Sequence, residues 1–140
     1  MSDSPPYRLL GTPRAGGILC VLDHASNHVP PGLDLGIDPG LMQDHIAWDI
    51  GTAAVAEILH REHGIPAHLA TVSRLVCDLN REEHDPAAIP ERSDGHAIPG
   101  NIGIDREARL AAYHRPYHAA LAGSIAAARP PLIAALHSFT

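Results

Sequence analysis

Ile18-Leu19-Cys20-Val21-Leu22-Asp23-His24 is an unbroken apolar run that stops at an acid and an imidazole. Its length and β-branched members predict a strand buried on both faces, the mark of a parallel sheet. A second run of this kind, Leu132-Ile133-Ala134-Ala135-Leu136, stops at His137-Ser138-Phe139-Thr140. Between the two, the loop-forming ASNHVPPGLDLGIDPG gives way to a helical pattern over residues 44–64. There Ala47, Ile50, Ala54, Ile58 and Leu59 form one stripe and Gly64 provides a stop. AHLATVS reads as another strand, and SRLVCDLNR alternates Leu75, Cys77 and Leu79 against Arg74, Asp78 and Asn80 with the period of a strand.

Residues 82–104 carry prolines and glycines without hydrophobic period, which predicts a long loop able to cover a site. Asp105 is placed to cap a long helix whose stripe runs Leu110, Tyr113, Tyr117, Leu121 and Ile125, with Pro116 as an expected kink. Residues 1–16 mix Pro, Ser, Arg and Gly and read as a flexible lead-in, leaving one domain over residues 17–140. Strands alternate with helices and nothing repeats, so the expected fold is α/β, a layered sheet flanked by helices.

Composition narrows the chemistry. The chain has 140 residues and a formal net charge of -6, and all ten of its basic residues are arginine. The absence of lysine excludes a Schiff-base or P-loop mechanism. Without a basic run, nucleic acid and membrane are not expected partners. The N-terminus has no charged segment leading into an apolar one, which predicts a cytoplasmic protein. Cys20 and Cys77, far apart and each within an apolar stretch, read as buried free thiols.

Ligands of parallel α/β sheets gather beyond the carboxyl ends of strands, which is where His24 and His137 fall. Two imidazoles and one carboxylate make a three-ligand zinc site with a position left for water. Asp49 or Asp44, both near the expected start of the first helix, offers that carboxylate. His114 and His118, four apart on one helix, form a rival pair, but Pro116 lies between them and no H-E-x-x-H glutamate accompanies them. His84-Asp85 spells an HD pair in a loop. Arg74 and Arg81 are forks for a substrate carboxylate, though either can pair with Asp78 instead. Asn80 stands between them in the same stretch. Ser26 and Ser138 are placed to hydrogen-bond around the histidines, with Ser26 also within reach of a substrate. No G-x-S-x-G elbow is present.

DHASNHVP, HIAWDIG, SRLVCDLNR, YHRPYHAAL and LHSFT, in that order, resemble the N-formylglutamate amidohydrolase family over roughly residues 18–140. The resemblance implies a sheet sandwiched by helices, similar to the zinc carboxypeptidase or phosphorylase-hydrolase-like fold. It implies Zn2+ held by His24, Asp49 and His137, with Asp49 assigned by analogy. It also implies hydrolysis of N-formyl-L-glutamate, a small acidic N-acyl amino acid, to formate and glutamate within histidine degradation.

The family pattern continues past HSFT to a later strand bearing a general-base glutamate, and this sequence stops before it, so the fold is expected to be truncated. Three explanations fit: a fragment, an interrupted gene, or a short relative that borrows the acid from Glu82, Glu83 or another subunit of a homo-oligomer. The alternatives to an active amidohydrolase are a silent remnant that binds metal, a small acidic ligand or a partner, and a related N-acyl amino acid deacylase or cell-wall amidase.

Overall fold

The computed structural model describes residues 4–139. Its centre is a mixed four-stranded sheet in the order β1-β3-β2-β6, with β1 Tyr7–Leu10, β2 Ile18–Leu22, β3 Ala67–Ala70 and β6 Leu132–Ala135. β2 runs parallel to β3 and β6, and β1 runs antiparallel to β3, with Tyr7 opposite Ala70 and Leu10 opposite Ala67. A two-residue-per-strand hairpin, β4 Arg92–Ser93 and β5 His96–Ala97, stands apart from the sheet.

β2 and β3 form where the sequence predicts strands, and every residue of β3 is buried. The sheet is covered on both faces. Cys20, Leu22, Ala67 and Leu69 pack with Ala56 of α1 Thr52–His63 on one side. On the other, His68 meets Tyr117 of α3 Arg115–Ala128 ring to ring at 4.5 Å. A short α2, Arg106–Arg109, opens under the Asp105 cap, whose carboxylate accepts the N–H of Ala108 (3.0 Å), and a π-helical turn, Leu110–His114, joins it to α3. Proline at 116 has no N–H and crowds the carbonyl four residues back, so the wider turn ahead of it absorbs the expected kink.

Four expectations are corrected. The lead-in is not free of structure, because Tyr7–Leu10 forms the edge strand β1, with Arg8 paired to Glu57 of α1 at 2.8 Å. The first helix starts at Thr52, eight residues late. Over residues 44–51 two backbone groups go to distant partners, Asp49 N–H to His24 C=O (2.8 Å) and Arg74 N–H to Ala47 C=O (3.3 Å), and Gly51 at φ 87° breaks any helical approach. The buried face of α1 is Thr52 and Ala56, whereas Ile50 and Ile58 are exposed.

SRLVCDLNR is a series of turns, not a strand. Leu75, Val76, Cys77 and Leu79 are all buried, with no alternation of inside and outside. Two of its carbonyls are satisfied by distant side chains, since Asn101 Nδ2 donates to Leu75 O (2.7 Å) and Arg109 Nη1 to Val76 O (2.9 Å).

The final run, expected to be buried, is an exposed edge. Among the described residues β6 pairs with β2 alone, and Leu132 is 54% and Ile133 43% exposed. Residues 82–104 form two 3-10 turns and the hairpin, anchored in the core by Ala88, Ile89 and Ile98, while about half of the segment is exposed and Glu82, Glu83 and His84 border a cavity. Both cysteines are buried free thiols, as expected.

Candidate metal centre

His24 lies directly after β2 and His137 just after β6, so two parallel neighbouring strands deliver their imidazoles to the same end of the sheet, with ring centroids 5.4 Å apart. Asp49 is brought to them by the hydrogen bond from its N–H to the carbonyl of His24. Its Oδ2 stands 2.9 Å from His137 Nδ1 and 3.6 Å from His24 Nδ1. One ligand atom from each of the three residues falls within 4.8 Å of the others. Asp44, the other acid considered, only closes the preceding 3-10 turn.

Asp78 completes the arrangement, and the sequence had suggested it only as a partner for an arginine. Its Oδ1 accepts His24 Nε2–H at 2.6 Å, which fixes the imidazole and leaves Nδ1 bare toward Asp49. Burial alone would raise the Asp78 carboxyl. The hydrogen bond and charge of His24, the charge of Arg74 and the N–H of Asn80 outweigh it and hold the group below the usual carboxylate range. Two buried carboxylates around two buried or half-buried imidazoles suit a divalent cation, and the set of two nitrogens and one oxygen is a zinc donor set with room for a fourth ligand.

The triad opens into a cavity of about 350 Å³ that is also lined by His45, Arg74 and Asn80. Arg74 reaches Asp78 at 3.3 Å and Asp49 at 3.9 Å, so it both neutralises the buried acids and presents its guanidinium to the cavity. Asn80 borders this cavity and a neighbouring one of about 590 Å³. Arg81 opens on the second, within 3.6 Å of Asp85, and so do Glu82 and Glu83. Neither glutamate lines the cavity of the triad, and Glu83 is tied to Arg115 at 2.7 Å.

Ser26 does not line either cavity; it accepts the N–H of His28 at 3.0 Å in the loop after β2. Ser138 donates to Ile50 O at 2.8 Å beside His137. The rival histidines are occupied as scaffold, His114 donating to Arg81 O (2.7 Å) and His118 to Leu79 O (2.8 Å), which pins the turn that carries Asp78 and Asn80. His84 is exposed beside Glu82, and Asp85 caps the turn that follows it.

Residues 16–140 match the family model of the N-formylglutamate amidohydrolases. The chain belongs to that family. Among solved structures, the gene product Atu2144 of Agrobacterium tumefaciens is 33% identical and superposes with a TM-score of 0.88, covering 97% of this chain and 57% of its own. An N-formylglutamate amidohydrolase from Ralstonia eutropha JMP134 is 23% identical with a TM-score of 0.70, covering 97% and 58%, and shares the fold. This N-formylglutamate amidohydrolase family member therefore spans a little under three-fifths of the length of either structure. No curated protein matches it in sequence. No helix among the described residues is long and apolar enough to cross a membrane.

Proposed function

We propose that the chain is a zinc-dependent hydrolase of the N-acyl amide of an acidic amino acid, with N-formyl-L-glutamate as substrate and formate and glutamate as products. The observation that carries this reading is the convergence of His24, Asp49 and His137 to within 4.8 Å at the carboxyl ends of β2 and β6. Family membership and the donor chemistry support it, and the carboxypeptidase-like architecture and a cytoplasmic location go with it.

A zinc ion bound by these three residues supplies Lewis acidity toward an acyl carbonyl and toward water. The side chains do the rest. Asp78 holds His24 in the tautomer that offers Nδ1, while Asp49 offers Oδ2 between the two imidazoles. Arg74 presents a fixed fork to a substrate carboxylate, and Asn80 offers its amide at the same wall, with Arg81 beyond it. This orients the formamide bond toward the triad.

Purified protein is expected to carry about one zinc per chain and to release formate from N-formyl-L-glutamate. His24→Ala and His137→Ala are each expected to abolish the stoichiometry. Retention of full zinc by both variants overturns the assignment. The exposed Leu132 and Ile133 on a strand with one neighbour favour a second reading, a silent metal-binding chain that associates through its uncovered sheet. A zinc-loaded chain without turnover, activated by adding a separately made C-terminal portion of a longer relative, is the result that reading expects.

A further inference from the structure

Leu79, Arg81, Glu83 and Asp85 offer every second carbonyl of the segment that follows Asp78, and each accepts a proton from one helical segment, taken in reverse order. His118 donates Nε2–H to Leu79 O (2.8 Å), His114 to Arg81 O (2.7 Å), and Arg106 to Glu83 O and to Asp85 O (2.7 Å). In an unbroken α-helix, at about 100° per residue, His114 and His118 would point about 80° and 120° away from Arg106. The π-turn Leu110–His114, closed by the N–H of Arg115 on Leu110 O, inserts one residue and brings both back to within about 20° of it.

The contact of His118 leads directly to the metal centre. A trans peptide is planar, with its C=O and N–H pointing opposite ways, so a donor that fixes Leu79 O also aims the N–H of Asn80. That N–H donates to Asp78 Oδ1 at 3.0 Å, the same oxygen that accepts the Nε2 proton of His24 at 2.6 Å. Asp78 is held from its other side by its own N–H, which donates to Ala88 O (2.7 Å). The ring of His118 is in turn met edge-on by Tyr117 at 5.1 Å. His114 repeats the device two residues on, at Arg81 O, and the N–H of Arg81 returns to Asp78 O (3.2 Å).

We propose that His118 and His114, set in line with Arg106 by the π-turn, are positioning residues of the metal centre. They hold the peptide units around Asp78 so that its Oδ1 faces His24, which keeps the His24 proton on Nε2 and leaves Nδ1 for the cation. Neither histidine touches the triad. The inference rests on the metal-binding reading given above and deepens it, and it is independent of which acyl substrate the site takes.

The test reads His24 before any metal is added. In the metal-free wild type, nitrogen NMR of the imidazoles at pH 8 is expected to show His24 as the Nε2–H form. His118→Leu removes the donor to Leu79 O; it is expected to mix the His24 tautomers and to weaken zinc binding by about tenfold in competition with a chelator. His118→Gln, whose amide can donate to the same carbonyl, is expected to recover both. His114→Leu acts one step further from Asp78 and is expected to give a smaller loss of the same kind; it carries the test if His118→Leu does not fold. A purely structural role would lower the urea midpoint and leave the tautomer and zinc affinity of the folded variants at their wild-type values, and that result overturns the proposal. A wild type that takes up no zinc although His24 carries its proton on Nε2 overturns the metal reading itself, and the positioning role falls with it.

Discussion

Asp78 Oδ1 accepts the Nε2 proton of His24 at 2.6 Å, with both side chains about 95% buried, and this contact decides which nitrogen His24 turns toward Asp49. Removing the charge while keeping the shape isolates its effect. Asp78→Asn is expected to weaken zinc affinity by about 10- to 100-fold, read by competition with a chelator, while the far-ultraviolet circular dichroism stays that of the wild type. An unchanged affinity would mean that His24 orients itself without the acid.

His68 supplies the pH dependence. Its ring is fully buried between Tyr7, stacked at 5.2 Å, and Tyr117, and neither ring nitrogen has a hydrogen-bond partner among the described residues. Burial lowers its pKa from 6.5, against smaller raising effects from the Tyr117 main chain and the Asp23 carboxylate. The unfolded chain therefore binds a proton at pH values where the folded chain does not. The stability contributed by neutral His68 is complete above about pH 6.5 and falls as the solution is acidified below it. Urea midpoints measured from pH 7.5 to 5.5 are expected to drop more steeply for the wild type than for His68→Phe. Parallel curves would remove His68 from the account.

A further contact sits beside it. Tyr117 donates its hydroxyl proton to Asp23 Oδ1 at 2.6 Å, and both groups are buried. Burial first, then the charge of Asp23 and this hydrogen bond, push the phenol well above its ordinary range. Tyr117→Phe leaves a buried carboxylate oxygen without its donor. The expected loss is about 1.5–3 kcal/mol of unfolding free energy, measured in urea. A loss under about 0.5 kcal/mol would show that another donor takes over.

The two thiols are expected to be silent. Burial raises both, and with the neighbouring Asp78 carboxylate it pushes Cys77 up to about 12. The thiolate is the reactive form, so a disulfide reagent at pH 8 should count no fast-reacting thiol in the folded protein and two after unfolding in guanidinium. Rapid labelling of the native chain would place at least one cysteine in an open environment.

Much of the layered fold was legible because one central strand is a continuous apolar run. Leu19–Leu22 is buried on both faces, and such burial writes itself into composition with no need for a period. The two histidines were legible for a related reason, since a polar residue at the carboxyl end of a buried parallel strand has few places to go but the ligand edge of the sheet. Tyr7–Leu10 was not, because an edge strand buries only part of its surface and its Pro- and Gly-rich surroundings disguise it. The turns over residues 73–81 carry a strand-like alternation in sequence because what holds them lies elsewhere: the Leu75 and Val76 carbonyls accept from Asn101 and Arg109, more than 20 residues downstream.

The sequence by itself determined the runs that form β2 and β6, the long C-terminal helical segment and the imidazoles that follow the two strands, since each follows from a local run. Only tertiary structure decided that Asp49 and not Asp44 meets the imidazoles, that Asp78 orients His24, and that Glu82 and Glu83 open on a different cavity from the triad. Those outcomes depend on side chains converging from segments far apart in the chain. Such distances are fixed by how the sheet, the turns and the helices pack together, and no local pattern of residues records them.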